Sequence, residues 1–176
     1  MNRIFTLFIT ASLAALSASA QQKDYTKGVF IVNEDWFGHN SSSVNFLNED
    51  GTWDYNVVKE NNPGQSLGNT AEYGAIHNGR MYIMSKQDYS DDQTTGGRIT
   101  VCDAKTMKIE ASIKELKTDG DKASADARSF CAVSDTKAYV SSTNGIYILD
   151  LTTNAITGKV EGIKDESDGL YNTQTG

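Results

Sequence analysis

A polar loop that follows an apolar run early in the chain contains two aromatic residues. Its sequence is Glu34-Asp-Trp-Phe-Gly-His39, so that Trp36 and Phe37 stand among charged and polar neighbours. Exposed aromatic rings stack on flat or sugar-like ligands and anchor interfaces. Glu34, Trp36, Phe37 and His39 therefore predict non-covalent ligand binding. The alternative is that the two rings fold back and pack on the neighbouring strands.

Further candidate binding residues stand beside other long loops. They are Gln87, Asp88, Tyr89, Arg128, Tyr171 and Asn172. Arg128 begins a predicted strand, where it either faces a ligand or forms a structural ion pair with Asp126 or another neighbour.

Patterns that support catalysis or metal binding are missing from the sequence. Its two histidines, His39 and His77, fall at opposite ends of predicted strands, so they are not expected to share a metal or a catalytic role. We find no nucleophile elbow, phosphate loop or zinc-ligand spacing. Asp91-Asp92 and Asp119-Gly-Asp121 offer oxygen ligands for calcium, but neither matches a full calcium loop, and solvated acidic loops are the favoured interpretation. No cofactor is predicted.

The elements that position the candidate residues follow from an internal repeat. Ala75–Ser85 aligns without a gap with Ala132–Ser142, and each segment has the pattern strand, tight turn, strand. Each is followed by a second hairpin that also aligns. Strands are predicted over Gly28–Asn33, Ser43–Asn48, Trp53–Glu60, Tyr73–His77, Arg80–Ser85, Arg98–Asp103, Lys108–Glu115, Ser129–Ser134, Lys137–Ser141, Ile146–Asp150 and Ala155–Gly162.

A four-stranded unit that recurs at about 40–50 residues is typical of a β-propeller blade. We therefore predict an all-β fold of four-stranded antiparallel blades, with about three blades in residues 21–176 and no inner strand in the first. Because rings need roughly four to eight blades, we expect a partial ring, the N-terminal part of a longer protein. The alternative is a short chain that completes a ring by oligomerising.

The connections between the predicted strands are of two kinds. Turns such as Asn78-Gly79 are tight, whereas most of the other connections are long. In an up-and-down sheet the long connections share one end of the strands, and long loops on a rigid scaffold often carry function. We expect the binding site at this end. The alternative is that the long loops are neutral insertions.

The first 20 residues have the features of a secretory signal peptide. Arg3 precedes an apolar run from Ile4 to Leu16, and Ala18-Ser-Ala20 provides a small-residue cleavage site. We expect an exported protein, periplasmic or extracellular and not membrane-spanning. Gln21 stands where a lipoprotein needs cysteine, so a lipid anchor there is not expected. Cys102 and Cys131 are expected to be buried in apolar strands, with a disulfide as the alternative.

Charge also limits the partners. The formal net charge is −7, and an acidic surface repels the phosphate backbone, so nucleic-acid binding is disfavoured.

The repeat resembles a known family of propellers. Val101-Cys-Asp-Ala-Lys-Thr106 and Ile148-Leu-Asp-Leu-Thr-Thr153 resemble the YVTN/YncE-like propeller repeat. The opening Gly28-Val-Phe-Ile-Val-Asn-Glu34 is similar to the Bacteroidetes extracytoplasmic propeller family that includes BtuG-like cobalamin-binding proteins. This resemblance implies a seven-bladed ring that captures a corrinoid or another nutrient beside an outer-membrane transporter.

Taken with the missing catalytic motifs, these features predict an exported, non-catalytic binding protein. Its long-loop face is expected to hold a small-molecule nutrient, a corrinoid among the candidates, or a partner protein. The alternatives are a lactonase-like or lyase-like propeller enzyme whose catalytic groups lie in further blades, and a protein-interaction scaffold.

Overall fold

Three antiparallel β-sheets form most of the regular structure in the computed structural model, which describes residues 23–36, 39–87 and 96–163. In order across each sheet, sheet 1 contains β1 (Gly28–Asn33), β2 (Ser43–Asn48) and β3 (Trp53–Asp54); sheet 2 contains β4 (Asn69–His77), β5 (Arg80–Gln87), β6 (Ile99–Asp103) and β7 (Ile109–Ile113); sheet 3 contains β8 (Ala127–Ser134), β9 (Lys137–Ser142), β10 (Gly145–Asp150) and β11 (Ala155–Lys159). One short helix, α1 (Val57–Asn61), connects sheet 1 to sheet 2. The predicted all-β fold with antiparallel sheets is confirmed.

The strand predicted over Trp53–Glu60 is wrong beyond Asp54. Asn56 has a φ of 53°, and helix α1 begins at the next residue. Val57 and Val58 are both buried in the core between sheets 1 and 2. Consecutive residues of a strand point to opposite faces, so an outer strand with one covered face would bury only one of them. A helical turn buries both.

The tight turns at one end of the strands have the chemistry that their sequences predict. Asn78 and Gly79 have φ values of 49° and 74°, as a two-residue hairpin turn with two left-handed positions requires. In the next turn of sheet 2, Asp103 Oδ1 accepts hydrogen bonds from the backbone N–H and the hydroxyl of Thr106, both at 2.7 Å. Asp150 Oδ1 likewise accepts the backbone N–H of Thr153 at 2.9 Å. The repeated Asp-x-x-Thr pattern is therefore a turn cap.

The long connections leave from the opposite end of the strands. In sheet 1, Asn33 and Ser43 are Cα partners at this end, and in sheet 2 the partners are Asn69 and Gln87. Neighbouring sheets have the same orientation, because the tight turns of sheets 2 and 3 touch through Asn78 Nδ2 and Asp135 Oδ1 at 3.1 Å. For the described connections, residues 34–42, 55–68 and 114–126, the prediction that they share one end is confirmed. We call this end the long-loop end.

Two apolar cores hold the three sheets together. The core between sheets 1 and 2 contains the fully buried side chains of Val44, Phe46, Ile83 and Met107, among others. The core between sheets 2 and 3 is centred on Tyr82, whose ring stacks on that of Phe130 at 4.5 Å between centroids. Sheet 2 is thus covered on both faces, which explains its nearly continuous apolar strands. No helix in the described part of the chain is long and apolar enough to cross a membrane.

The two cysteines are free thiols in different environments. Cys102 is buried, as predicted, but Cys131 is exposed, so the prediction of two buried cysteines is wrong for Cys131. Cys102 lies on a strand between two cores. In β8 the side chain of Phe130 enters the core, and the next residue, Cys131, points the other way because side chains alternate along a strand.

Thiol labelling is expected to separate these two cysteines. Burial, with the nearby carboxylates of Glu110 and Asp103, raises the pKa of the Cys102 thiol to about 12, so the reactive thiolate is scarce there at neutral pH. A small alkylating reagent should modify one thiol per folded chain quickly and the second only after denaturation. Cys131→Ser should remove the fast phase; a fast phase that survives this substitution would contradict the assignment.

Candidate ligand-binding site at the long-loop end

A cavity of about 580 Å³ opens at the long-loop end of sheet 1. Its walls come from the connection after β1, from helix α1 and from the connection between α1 and β4. The polar side chains that line it include His39, Asn40, Ser41, Asn56, Lys59 and Gln65. Pockets of about 300–1,000 Å³ accommodate small molecules, and a few placed polar groups usually fix the orientation of the ligand. The cavity therefore has the size and the hydrogen-bonding groups of a small-molecule site.

An aromatic pair lies beside this cavity. The Trp36 indole stacks on the His39 imidazole, with ring centroids 4.0 Å apart and planes inclined by 29°. A tight turn holds the pair, because the His39 backbone N–H donates to the Trp36 carbonyl at 3.0 Å. Trp36 is 65% exposed, so its ring does not pack into the core. An exposed, preoriented indole can stack on a flat or sugar-like ligand.

Hydrogen bonds fasten one wall of the cavity to sheet 2. The Ser42 backbone N–H donates to the Gly68 carbonyl at 3.0 Å, and the Ser42 hydroxyl accepts the Ala71 backbone N–H at 2.6 Å. Ser41 and Asn69 form an isolated β-bridge beside these bonds. The loop that carries His39 is thus tied to the first residues of β4.

Asn62 fastens the other wall. Its side-chain amide donates to the Val58 carbonyl at 2.6 Å and to the Met107 carbonyl at 2.7 Å. Its carbonyl oxygen accepts the Ile109 backbone N–H at 2.9 Å. This buried side chain therefore joins helix α1 to the β6–β7 turn of sheet 2, and it holds the helix that supplies Asn56 and Lys59 to the cavity.

A chain of alternating charges connects the three sheets at the long-loop end. Lys86 lies between Glu34, whose Oε1 is 3.9 Å from its Nζ, and Glu72, with which it forms a close ion pair. Glu72 also accepts from Arg128, with 3.0 Å between Oε2 and the guanidinium nitrogen. Arg128 is 3.8 Å from Asp126, which in turn pairs closely with Arg98.

Glu72 is the centre of this charge chain. Partial burial favours its neutral form, but the hydrogen bonds from Lys86 and Arg128 outweigh burial and lower the pKa of the carboxyl. Glu72 therefore stays ionised at neutral pH and draws cations from sheets 2 and 3 to the same place.

Asp121 organises the long-loop end of sheet 3. Its carboxylate accepts hydrogen bonds from five groups: the Thr118 backbone N–H at 2.7 Å, the Thr118 hydroxyl at 2.9 Å, the Tyr147 hydroxyl at 2.9 Å, the Lys159 ammonium at 3.0 Å and the Asn144 amide at 3.1 Å. The side chain is only 9% exposed, so the interpretation of this segment as a solvated acidic loop is wrong for Asp121.

The structure brings several of the predicted site residues to one end of the sheets. Trp36 and His39 meet beside the cavity, while Glu34 and Arg128 belong to the charge chain. The ion pair predicted for Arg128 with Asp126 is present, and Glu72 is a second partner. Gln87 is the last residue of β5. The other predicted residues lie outside the described ranges: Phe37, Asp88, Tyr89, Tyr171 and Asn172.

Sequence reasoning missed the cavity residues that follow β3. Asn56, Lys59 and Gln65 were assigned to a strand and to a plain connection, yet they line the cavity. The signal available in the sequence was Asn61-Asn-Pro-Gly64, which ends any regular element. It leaves only a short segment after Asp54, too short for the long outer strand that was predicted.

Within the described ranges, no group of three or more His, Cys, Asp and Glu side chains is arranged to hold a metal ion. His77 lies at the tight-turn end, with its Nε2 3.2 Å from the Ser134 carbonyl oxygen. It is therefore separated from His39 by the length of the strands, as the sequence predicts.

Comparison with known proteins gives a family without an assigned activity. No curated protein matches the chain. The model of the family described as "Domain of unknown function (DUF5074)" matches residues 27–175. Because this match takes in most of the sequence, the protein belongs to the DUF5074 family.

Proposed function

We propose that this chain is an exported, non-catalytic binding protein that captures a small polar molecule in the cavity beside Trp36 and His39. The observation that carries the proposal is the combination of that cavity with an exposed, stacked indole at its side. Stacking and hydrogen bonds from fixed amides and hydroxyls give binding without any covalent step.

The fold proposed for this function is part of a β-propeller of the YVTN/YncE-like kind. Three consecutive antiparallel sheets, two of them with four strands in sequence order, support this proposal. So do the two cores, each of which lies between one sheet and the next along the chain. In such a ring the long-loop end would form one face, and the cavity would open on it.

Export rests on the first 20 residues, which we propose are a signal peptide removed before Gln21. A protein outside the cytoplasm meets nutrients before they are imported. Together with the resemblance to the family that includes BtuG-like proteins, this makes a corrinoid one candidate ligand and an outer-membrane transporter one candidate partner. The neutral amides and hydroxyls of the cavity make a glycan the other candidate ligand.

Calorimetric titration of the protein with cobinamide, cobalamin and a panel of glycans tests the proposal. We expect at least one of these to bind, and we expect Trp36→Ala to weaken that binding about tenfold, because the loss of a stacked ring costs about 1.4 kcal/mol. Trp53→Ala is the matched control, since Trp53 is 45% exposed but lies on β3, away from the cavity. Turnover of any of these compounds, failure of all of them to bind, or equal losses in both variants would count against the proposal.

A further inference from the structure

Equivalent residue pairs occur at the same register in all three sheets. One set of cross-strand pairs is Phe30–Phe46, Tyr82–Val101 and Tyr139–Ile148. In sheet 1 this pair packs into the core shared with sheet 2, and in sheet 2 it packs into the core shared with sheet 3. We call the face that carries these residues the forward face of each sheet.

The opposite face of each sheet repeats in the same way. Its cross-strand pairs are Val29–Leu47, Met81–Cys102 and Ala138–Leu149. In sheet 2 this pair is buried against sheet 1, and in sheet 3 it is buried against sheet 2. We call this the backward face. Inside the chain, therefore, the forward face of one sheet always meets the backward face of the next.

Two such faces have no covering sheet among the described residues. One is the backward face of sheet 1, where Val29, Leu47 and Trp53 form a row across β1, β2 and β3; Val29 is 59% exposed. The other is the forward face of sheet 3, where Tyr139 and Ile148 are only half-buried, although the equivalent Tyr82 and Val101 are fully buried. Exposed apolar patches of this kind mark contact surfaces.

We propose that the backward face of sheet 1 in one copy packs on the forward face of sheet 3 in a second copy. Each face is of the type that the other type covers at both internal junctions, so the contact would repeat a packing that the chain already uses twice. Two copies together contain six sheets, within the roughly four to eight that rings of such sheets contain. A head-to-tail contact made twice closes into a two-fold symmetric dimer.

Single charges placed on the two faces test this contact. Val29→Asp and Ile148→Asp would each bury an unpaired carboxylate at the junction, so each should raise the dimer dissociation constant more than about a hundredfold. Ile76→Asp is the matched control, because Ile76 is 59% exposed on β4 and lies on neither face. Sedimentation of the mature chain over a wide concentration range should give twice the mass of one chain for the wild type and the control.

A mixing experiment establishes the direction of the contact. The Val29→Asp copy keeps a normal sheet 3 face, and the Ile148→Asp copy keeps a normal sheet 1 face, so the mixture should form a dimer although neither variant does so alone. If Ile148→Asp does not fold, Tyr139→Glu replaces it. A wild type that stays monomeric at every concentration, as when a sheet from another polypeptide covers these faces, would overturn the proposal. So would association that survives both substitutions, or a mixture that stays monomeric. Ligand titration is a separate readout, so failure here leaves the proposed function standing.

Discussion

Replacing Asp121 with Asn is expected to lower the free energy of unfolding by about 2–4 kcal/mol at pH 7. The carboxylate accepts from the Tyr147 hydroxyl, the Lys159 ammonium and the Asn144 amide while almost buried. An amide of the same shape removes the charge that balances Lys159 and turns one acceptor into a donor. Urea denaturation of both proteins measures the loss.

The effect of Asp121 should depend on pH in a defined direction. Burial raises the pKa of its carboxyl, but the hydrogen bonds from the Thr118 backbone, Lys159, Tyr147 and the Thr118 hydroxyl together lower it well below the usual value. A lowered pKa in the folded state stabilises the protein above the unfolded-state pKa of about 3.9. That stabilisation is lost as the pH falls through the folded-state pKa. The difference between wild type and Asp121→Asn should thus be constant from about pH 5 to 7 and shrink below about pH 4.

Asp119→Asn is the control for this experiment. Asp119 lies in the same connection but is exposed, so its substitution should change the free energy of unfolding by less than about 0.5 kcal/mol. Equal losses for the two variants, or a loss at Asp121 that grows toward low pH, would contradict the role given to the Asp121 carboxylate.

Asn62→Ala is expected to cost about 2–4 kcal/mol of unfolding free energy. The substitution leaves the Ile109 backbone N–H and the Val58 and Met107 carbonyls without the side chain that they share, and unsatisfied buried groups cost about 1–3 kcal/mol each. Because this side chain also holds helix α1 against sheet 2, the variant should lose affinity for any ligand of the cavity.

Glu60→Ala provides the comparison in the same helix, because Glu60 is exposed and its loss should change stability little. Denaturation midpoints and hydrogen exchange of α1 distinguish the two variants. A loss below about 1 kcal/mol for Asn62→Ala would mean that the helix is held by Val57 and Val58 alone.

Most of the strands could be predicted because their sequences carry local signals. Asn78-Gly79 specifies its turn through two left-handed positions, and the Asp103 and Asp150 turns specify theirs through a side-chain cap. Apolar runs between such turns leave little choice of register. The end of β3 could not be predicted in this way, since β-branched Val57 and Val58 favour a strand locally. Burial of both side chains against sheet 2, a tertiary effect, selects the helix.

The candidate site was predictable only in part for a similar reason. Trp36 and His39 could be recognised because aromatic and imidazole groups are unusual in a polar loop. The cavity itself depends on how the segment after α1 crosses to β4, and contacts such as Ser42 with Gly68 and Asn62 with Met107 join residues far apart in sequence. The exposure of Cys131 likewise depends on which faces of β8 are covered.

The central claim, that a small molecule binds beside Trp36, is tested most directly by the indole N–H resonances in a ¹⁵N-correlated NMR spectrum. The chain has two tryptophans, so each ligand titration reports on one indole at the cavity and one on β3. We predict that cobinamide, cobalamin or a glycan shifts the Trp36 resonance in a saturable way and leaves the Trp53 resonance in place. A panel that moves neither indole, or a binder that moves only Trp53, would contradict it.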